Sequence, residues 1–254
     1  MENPTPPPCA TCFHRRWCVP SACSAAEADE SMAAVHRGVI RVRRGQTLSA
    51  CTATDAQLFI VRSGAFKSQA CLHPRAVRVV GLHESGDIMA VECLLGRPPC
   101  AQRIALQDSV ACAIDIARLR ALSMRQPTLS RYLAGLALGS LTEAHQDMFA
   151  LGCLSATERM ARLLAAFSRR RRLHGRSPGL LNLPFSRRDI GSHLALRIET
   201  VSRALTTLEQ SQVIRRSRGM IQILDAQRLD EMAAFASPRN VLPAVGHRVE
   251  HAMH

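Results

Sequence analysis

No stretch of this 254-residue chain approaches the roughly 20 uninterrupted apolar residues that span a bilayer, which excludes a membrane-spanning helix. The N-terminus carries prolines, cysteines and Arg15-Arg16 but no apolar signal-peptide core, so export is not expected and a cytoplasmic location is. There is no Gly-rich phosphate loop, no Ser/His/Asp set and no pair of carboxylates with an evident common site. The chain is therefore not read as an enzyme. Lysine is scarce: nearly all of the 33 basic residues are Arg, against 20 acidic ones, for a formal charge of +13. That surplus favours a polyanionic partner, although a GC-rich genome also enriches arginine.

With 47% hydrophobic residues there is enough apolar material for a packed core. Ten cysteines without an export signal point to a reducing compartment, where closely spaced Cys more often bind metal or sense redox state than form structural disulfides. Four of them, Cys9, Cys12, Cys18 and Cys23, lie in residues 1–24, which show no regular hydrophobic period and read as a ligand-carrying arm.

Residues 25–118 read as a strand-rich domain. Short apolar stretches such as Val39-Ile40-Arg41-Val42, Leu58-Phe59-Ile60-Val61, Val77-Arg78-Val79-Val80 and Arg103-Ile104-Ala105-Leu106 alternate with turns at Ser63-Gly64 and Ser85-Gly86-Asp87. Residues 119–151 read as a long-helix segment whose texture turns Ala/Leu-rich after Pro127, where Leu129, Leu133, Leu136, Ser140, Ala144, Met148 and Leu151 repeat every three or four positions. This is one stripe of a long helix and a candidate dimer seam. Ser155 and Glu158 have capping-box spacing, and the helix they open ends in the basic run Arg169 to Arg172, which suits a helix C-terminus.

In residues 152–235 the key segment begins at Ser186-Arg187-Arg188-Asp189, which caps a short helix through Leu194. Ala195-Leu196-Arg197 makes a turn, and a second helix runs from Ile198 to about Leu208 with Ile198, Val201, Leu205 and Leu208 inward. Glu199, Ser202 and Arg203 share its polar face. Arg can donate twice to guanine, Glu can accept from cytosine N4, and Ser can meet thymine or phosphate. Val213 to Ile223 reads as a hairpin with an Arg-rich tip, fitting a wing against phosphates through Arg216 and Arg218; Ser186, Arg197 and Thr200 are further backbone candidates. Residues 236–254 read as a disordered tail.

These residues resemble the winged helix-turn-helix of the cyclic-AMP receptor protein (CRP/FNR) superfamily, and Arg188-Asp189-Ile190-Gly191, Leu194 and Glu199-Thr200-Val201-Ser202-Arg203 resemble its FNR branch. The likeness extends to Leu58-Phe59-Ile60-Val61-Arg62-Ser63-Gly64, similar to the family's sensory β-roll, and to the long helix, similar to its dimerisation helix. It implies an α+β chain: a cysteine arm, a cupin-like double-stranded β-helix roll, a dimerisation helix and a winged helix-turn-helix. Two positions depart from the pattern, Ala195 where Gly is common and Arg197 where a hydroxyl residue normally caps the recognition helix.

The stretch from Gly86 to Arg103 lacks the Gly-Glu-Leu turn and Arg-Ser/Thr pair of nucleotide-binding members, so a cyclic nucleotide is disfavoured. Cys9-x2-Cys12-x5-Cys18 brings three soft ligands together, and a 4Fe-4S cluster needs four thiolates. Cys-x2-Cys alone fits zinc or a redox dithiol equally well. The resemblance implies a remote fourth ligand at Cys112, with Cys23 the local competitor. Cys51, Cys71, Cys93, Cys100 and Cys153 read as ordinary buried or partly exposed thiols.

The resemblance thus implies an oxygen-responsive activator with a 4Fe-4S cofactor, whose homodimer binds double-stranded TTGAT-N4-ATCAA-like DNA and works with RNA polymerase while the cluster is intact. One alternative is a zinc or thiol sensor of peroxide or nitric oxide. The other is a CxxC thiol-disulfide oxidoreductase, which lacks the βαβ unit such motifs need.

Overall fold

The chain's fold is a computed structural model that describes residues 9, 12–23, 28–48, 56–71, 73, 76–96, 100–217 and 219–233; Cys51, Arg218 and the tail expected over 236–254 lie outside these residues. A short helix, α1 (Ala28–Val35), feeds eight strands: β1 (His36–Val42), β2 (Thr47–Leu48), β3 (Gln57–Ser63), β4 (Ala65–Cys71), β5 (Val77–Glu84), β6 (Ile88–Met89), β7 (Gln102–Ala105) and β8 (Ser109–Asp115). They form two antiparallel four-stranded sheets in the orders β1-β8-β3-β6 and β2-β7-β4-β5, the interleaving of a jelly roll. Gly64 turns β3 into β4 at φ +93°, and a Cβ there would collide with Ser109, so the turn read at Ser63-Gly64 needs glycine.

The segment over 119–151 begins inside a separate short helix, and the long helix starts at Pro127, where the texture changes. Asp115 ends β8 and caps α2 (Ile116–Ser123), its carboxylate accepting from the Arg118 N–H at 2.9 Å, and Pro127 then opens α3 (Pro127–Cys153). Packing on the roll divides the expected stripe. Leu129 and Leu133 are buried against the roll and Leu136 packs beside them, so the first part of that stripe is core. The exposed line is instead Ala134, Leu138, Leu141, His145, Met148 and Gly152, with alternating spacings of four and three; Leu138 is 59% and Met148 62% exposed. Apolar residues on two faces of α3 gave the periodicity two solutions, and only packing on the roll selects between them.

The remaining elements are α4 (Ala156–Leu173), β9 (Leu180–Asn182), α5 (Arg187–Leu194), α6 (Ile198–Gln210), β10 (Ile214–Ser217), β11 (Met220–Ile223) and α7 (Ala226–Met232). The capping box is present: the Glu158 N–H donates to Ser155 Oγ, and the Ser155 N–H to the Glu158 carboxylate at 2.7 Å. Of the residues expected to face inward on α6, Val201, Leu205 and Leu208 are buried, but Ile198 is 40% exposed, and Ala204 takes the buried place. Ile198 is the first residue of the helix, where one side chain can turn away from the core.

Two cores result. One fills the roll and takes in α1, α2, the start of α3 and Val19 of the arm. The other joins α4 to α7 and the wing to Ala65, Val79 and Leu82, so the C-terminal domain is seated on the sheet that contains β4 and β5. Polar bonds lock that seat. Lys67 Nζ meets Asp189 at 2.7 Å, the Val79 N–H donates to Ser192 Oγ at 2.9 Å, and Arg78 donates to the His193 carbonyl. The basic run at the end of α4 serves the same junction. Arg171, buried, forks onto Glu84 with bonds of 2.7–3.1 Å and also donates to the carbonyls of Leu180 and Asn182; Arg170 pairs with Asp87 at 3.0 Å. Removing either partner of such a buried pair would strand a charge.

Burial pushes the Asp189 carboxyl up, but hydrogen bonds from Lys67 and Ser186 and the Lys67 charge outweigh it and hold the group below its usual range. A depressed carboxyl contributes stability above its unfolded pKa that is lost as pH falls through the folded value. The wild type should therefore be about 2 kcal/mol more stable than Asp189→Asn near neutral pH, and the difference should shrink below about pH 4. Urea unfolding of both proteins across that range measures it.

Candidate cysteine centre and nucleic-acid interface

The described part of the arm is two 3-10 turns, Phe13–Trp17 and Val19–Ala22, separated by Cys18. They are tied down by few groups. Val19 is fully buried, and buried His14 donates from Nε2 to the Arg62 carbonyl at 3.0 Å, with Ser85 Oγ at 3.1 Å. Arg62 lies near the end of β3, two residues beyond Ile60, which pairs with Cys112 of β8. The arm is thereby laid over the place where Cys112 emerges.

Cys9, Cys12, Cys18 and Cys112 line one small cavity, with His14, Arg15, Pro20, Met32, His36, Ile60, Arg62 and Ile114 completing its wall. The spacing-derived thiols and the one implied by resemblance are thus brought together. Cys23 does not line this cavity, and its thiol is directed to the Val19 carbonyl at 3.8 Å. Burial pushes the Cys18 thiol far up and Cys112 up to about 11, partly countered at Cys112 by the Arg62 charge and hydrogen bond, so both hold their protons at neutral pH. A metal must displace those protons to bind.

The donor set fits an iron-sulfur cluster in kind. Four thiols and no carboxylate face the cavity, and Arg15 and Arg62 offset the negative charge of four thiolates. Among the described residues no three His, Cys, Asp or Glu side chains are grouped so that they could hold a metal ion as they stand. Tyr132 of α3, half-buried against the same core as Cys18, lies within electrostatic reach of it. Of the other cysteines, Cys93 is buried and Cys71, Cys100 and Cys153 are exposed.

At the other end of the molecule Ser186 caps α5, its Oγ accepting the Asp189 N–H at 3.0 Å and donating to the Asp189 carboxylate. Gly191 allows the two helices to meet, because a Cβ there would lie 2.6 Å from the Leu196 carbonyl oxygen. Ala195 occupies the left-handed region at φ 54°, and Arg197 caps α6 without a side-chain bond, so both departures from the family pattern leave a local cost.

Glu199 and Arg203 are exposed on α6 and Ser202 half-buried, all on the turns expected to meet bases. Arg187, which sequence reasoning did not single out, donates to Ser202 Oγ at 3.0 Å, and Arg203 reaches Thr200 Oγ1 at 3.4 Å. Arg216, expected at phosphates, is held by Glu209 at 2.6–2.8 Å and by Thr206, and so staples the wing to the recognition helix. β10 and β11 form the wing, with β9 as its third strand; Arg218 at its tip is outside the described residues.

Two jelly-roll sheets, a long helix with an exposed apolar line, and a helix-turn-helix with a wing define the class: a β-roll joined to a winged-helix domain. Residues 158–232 match the family of Crp-like helix-turn-helix domains. The chain is similar to the transcriptional activator protein FnrA of Stutzerimonas stutzeri, 30% identical over 90% of this chain and 93% of that one. It is also similar to the fumarate and nitrate reduction regulatory protein of Yersinia pestis, 28% identical over 91% and 92%. Among solved structures, FixK2 from Bradyrhizobium japonicum matches with a TM-score of 0.68 and 26% identity, over 80% of this chain and all of that one. The chain belongs to the CRP/FNR superfamily and is an FNR-like transcriptional regulator; regulators of this type bind DNA as dimers. Among the described residues no helix is long and apolar enough to cross a membrane.

Relieving the left-handed alanine should stabilise the DNA-binding domain. Ala195→Gly is expected to gain about 0.5–1 kcal/mol, the left-handed penalty less the extra chain entropy of glycine. Thermal unfolding read by circular dichroism checks it.

Proposed function

We propose that this chain is an oxygen-responsive transcriptional regulator that holds a 4Fe-4S cluster on Cys9, Cys12, Cys18 and Cys112 and binds TTGAT-N4-ATCAA-like palindromes as a dimer. The observation that carries the reading is the meeting of four thiols, three from the arm and one from β8, around one cavity. When bound, such a cluster supplies an oxygen-labile link between thiolate corners. The protein's own part is to hold the arm over Cys112 through His14, to offset thiolate charge with Arg15 and Arg62, and to keep Tyr132 of α3 within electrostatic reach of Cys18.

A second copy laid along Ala134, Leu138, Leu141, His145 and Met148 would bury that exposed line and set two recognition helices about one turn of DNA apart. Glu199, Ser202 and Arg203 then read bases, while Ser186, Arg197, Thr200 and Arg218 face phosphates and Arg216 keeps the wing in register. RNA polymerase is the partner this reading implies. A cyclic nucleotide is not part of it: buried Arg103, in the stretch that lacks the nucleotide signature, is already bonded to Glu92 and the Ala101 carbonyl.

Protein purified without oxygen should contain about four iron and four sulfide per chain and lose its visible absorption in air, and Cys112→Ser should not hold the cluster. Zinc, or no metal, would move the signal to zinc or thiol chemistry and leave DNA binding standing. Arg203→Ala should lose about 1–3 kcal/mol of affinity for the palindrome and relax its base preference, whereas Arg218→Ala should weaken binding to all sequences alike. Titrations on the palindrome and on scrambled DNA separate the two effects.

A further inference from the structure

The turn between Cys12 and Cys18 has a second attachment, and it reaches the DNA-binding domain. Trp17 packs on His174 with ring centroids 6.4 Å apart and planes tilted by 58°. His174 caps the C-terminus of α4, the helix that carries Met160, Leu164 and Phe167 into the core of that domain. The fit is close on both sides. Gly175 has φ +64°, and a Cβ there would lie 2.6 Å from the Trp17 indole; Gly86 has φ +101°, and a Cβ there would run into the His174 imidazole. Two glycines thus open the space in which the tilted rings meet. Around this contact, Arg176 donates to the Ser85 carbonyl and pairs with Glu84, and Ser85 shares the Arg62 carbonyl with His14.

One 3-10 turn held between two thiols therefore makes two contacts: His14 on the roll, Trp17 on α4. We propose that Trp17 is the positioning residue through which the state of the cysteine arm sets the seating of the DNA-binding domain in the same protomer, a route separate from the dimer seam. The inference rests on the reading of the arm as the sensing element. With the arm in place, Trp17 braces the His174–Gly175 corner and keeps α4 and α5 seated on β5. With the arm released, the corner loses its brace, and the two recognition helices of a dimer are no longer preorganised for their half-sites.

Trp17 is the only tryptophan of the chain, so its fluorescence reports the contact directly. In the full-length protein prepared without oxygen, acrylamide quenching of Trp17 should at least double when the metal is removed with a chelator. His174→Ala leaves every cysteine and Trp17 in place. It should keep wild-type iron content and dimer fraction by sedimentation, show raised quenching while loaded, and bind the palindrome about tenfold more weakly. Trp17→Ala should do the same to affinity, and Trp17→Phe should restore most of it. Quenching unchanged on metal removal, or loaded His174→Ala and Trp17→Ala dimers that bind as tightly as wild type or tighter, would overturn the proposal. Absence of iron would instead count against the sensor reading alone; the Trp17–His174 contact is then tested in the protein as isolated, where His174→Ala should still raise Trp17 quenching above wild type, and equal quenching would overturn it.

Discussion

The hold of a short, poorly packed arm on the end of the β-roll is the constraint on which the rest of the molecule depends. Residues 12–23 form only 3-10 turns and bury little beyond His14, Val19 and Pro20. Ordering each residue costs about 1–2 kcal/mol of chain entropy, more than a few hydrogen bonds and one buried valine return. A group shared between the arm thiols and Cys112 would make up the difference, because binding energy at a site assembled from two segments is also ordering energy for the segments. The buried thiols add selectivity. Cys18 and Cys112 keep their protons unless a metal takes their place, so neither stands as a reactive thiolate.

The remainder of the architecture places that local event beside parts that act at a distance. Tyr132 of α3 lies within electrostatic reach of Cys18, the exposed line of α3 offers a face to a second copy, and the Arg171–Glu84 and Lys67–Asp189 pairs seat the DNA-binding domain on the roll. Lys67 is the single lysine of the chain, and it is used in this junction rather than on an open surface. The recognition end is rigid in its own right: Arg216 joins wing to helix, and Gly191 lets α5 and α6 cross closely.

Much of this was legible in the sequence where the signal is local. Strands bounded by Gly64 and Gly86, the Ser155 and Ser186 caps, and the polar face of α6 all follow from short-range spacing, and the structure has them. What was missed depends on packing between distant segments. The stripe read on α3 joins core to surface, because Leu129 and Leu133 give as good a period as the exposed residues do. Ile198 looked inward by spacing but sits at a helix end, and Arg170 and Arg171 read only as cations suited to a helix C-terminus, whereas Glu84 at the end of β5 and Asp87 in the turn after it pair with them. Cys112 is invisible to spacing altogether; only the family resemblance pointed to it. Trp17 and His14 carried one signal, an aromatic and an imidazole set between two metal-type cysteines, but their partners lie some 50 to 160 positions away.

The central claim is that the four cysteines share one inorganic centre. X-ray absorption at the iron edge of anaerobically purified protein tests it most directly. The account predicts an all-sulfur first shell with neighbouring iron scatterers, and loss of that signal in air. A first shell of nitrogen and oxygen, or an isolated metal ion on sulfur with no second metal nearby, would contradict it.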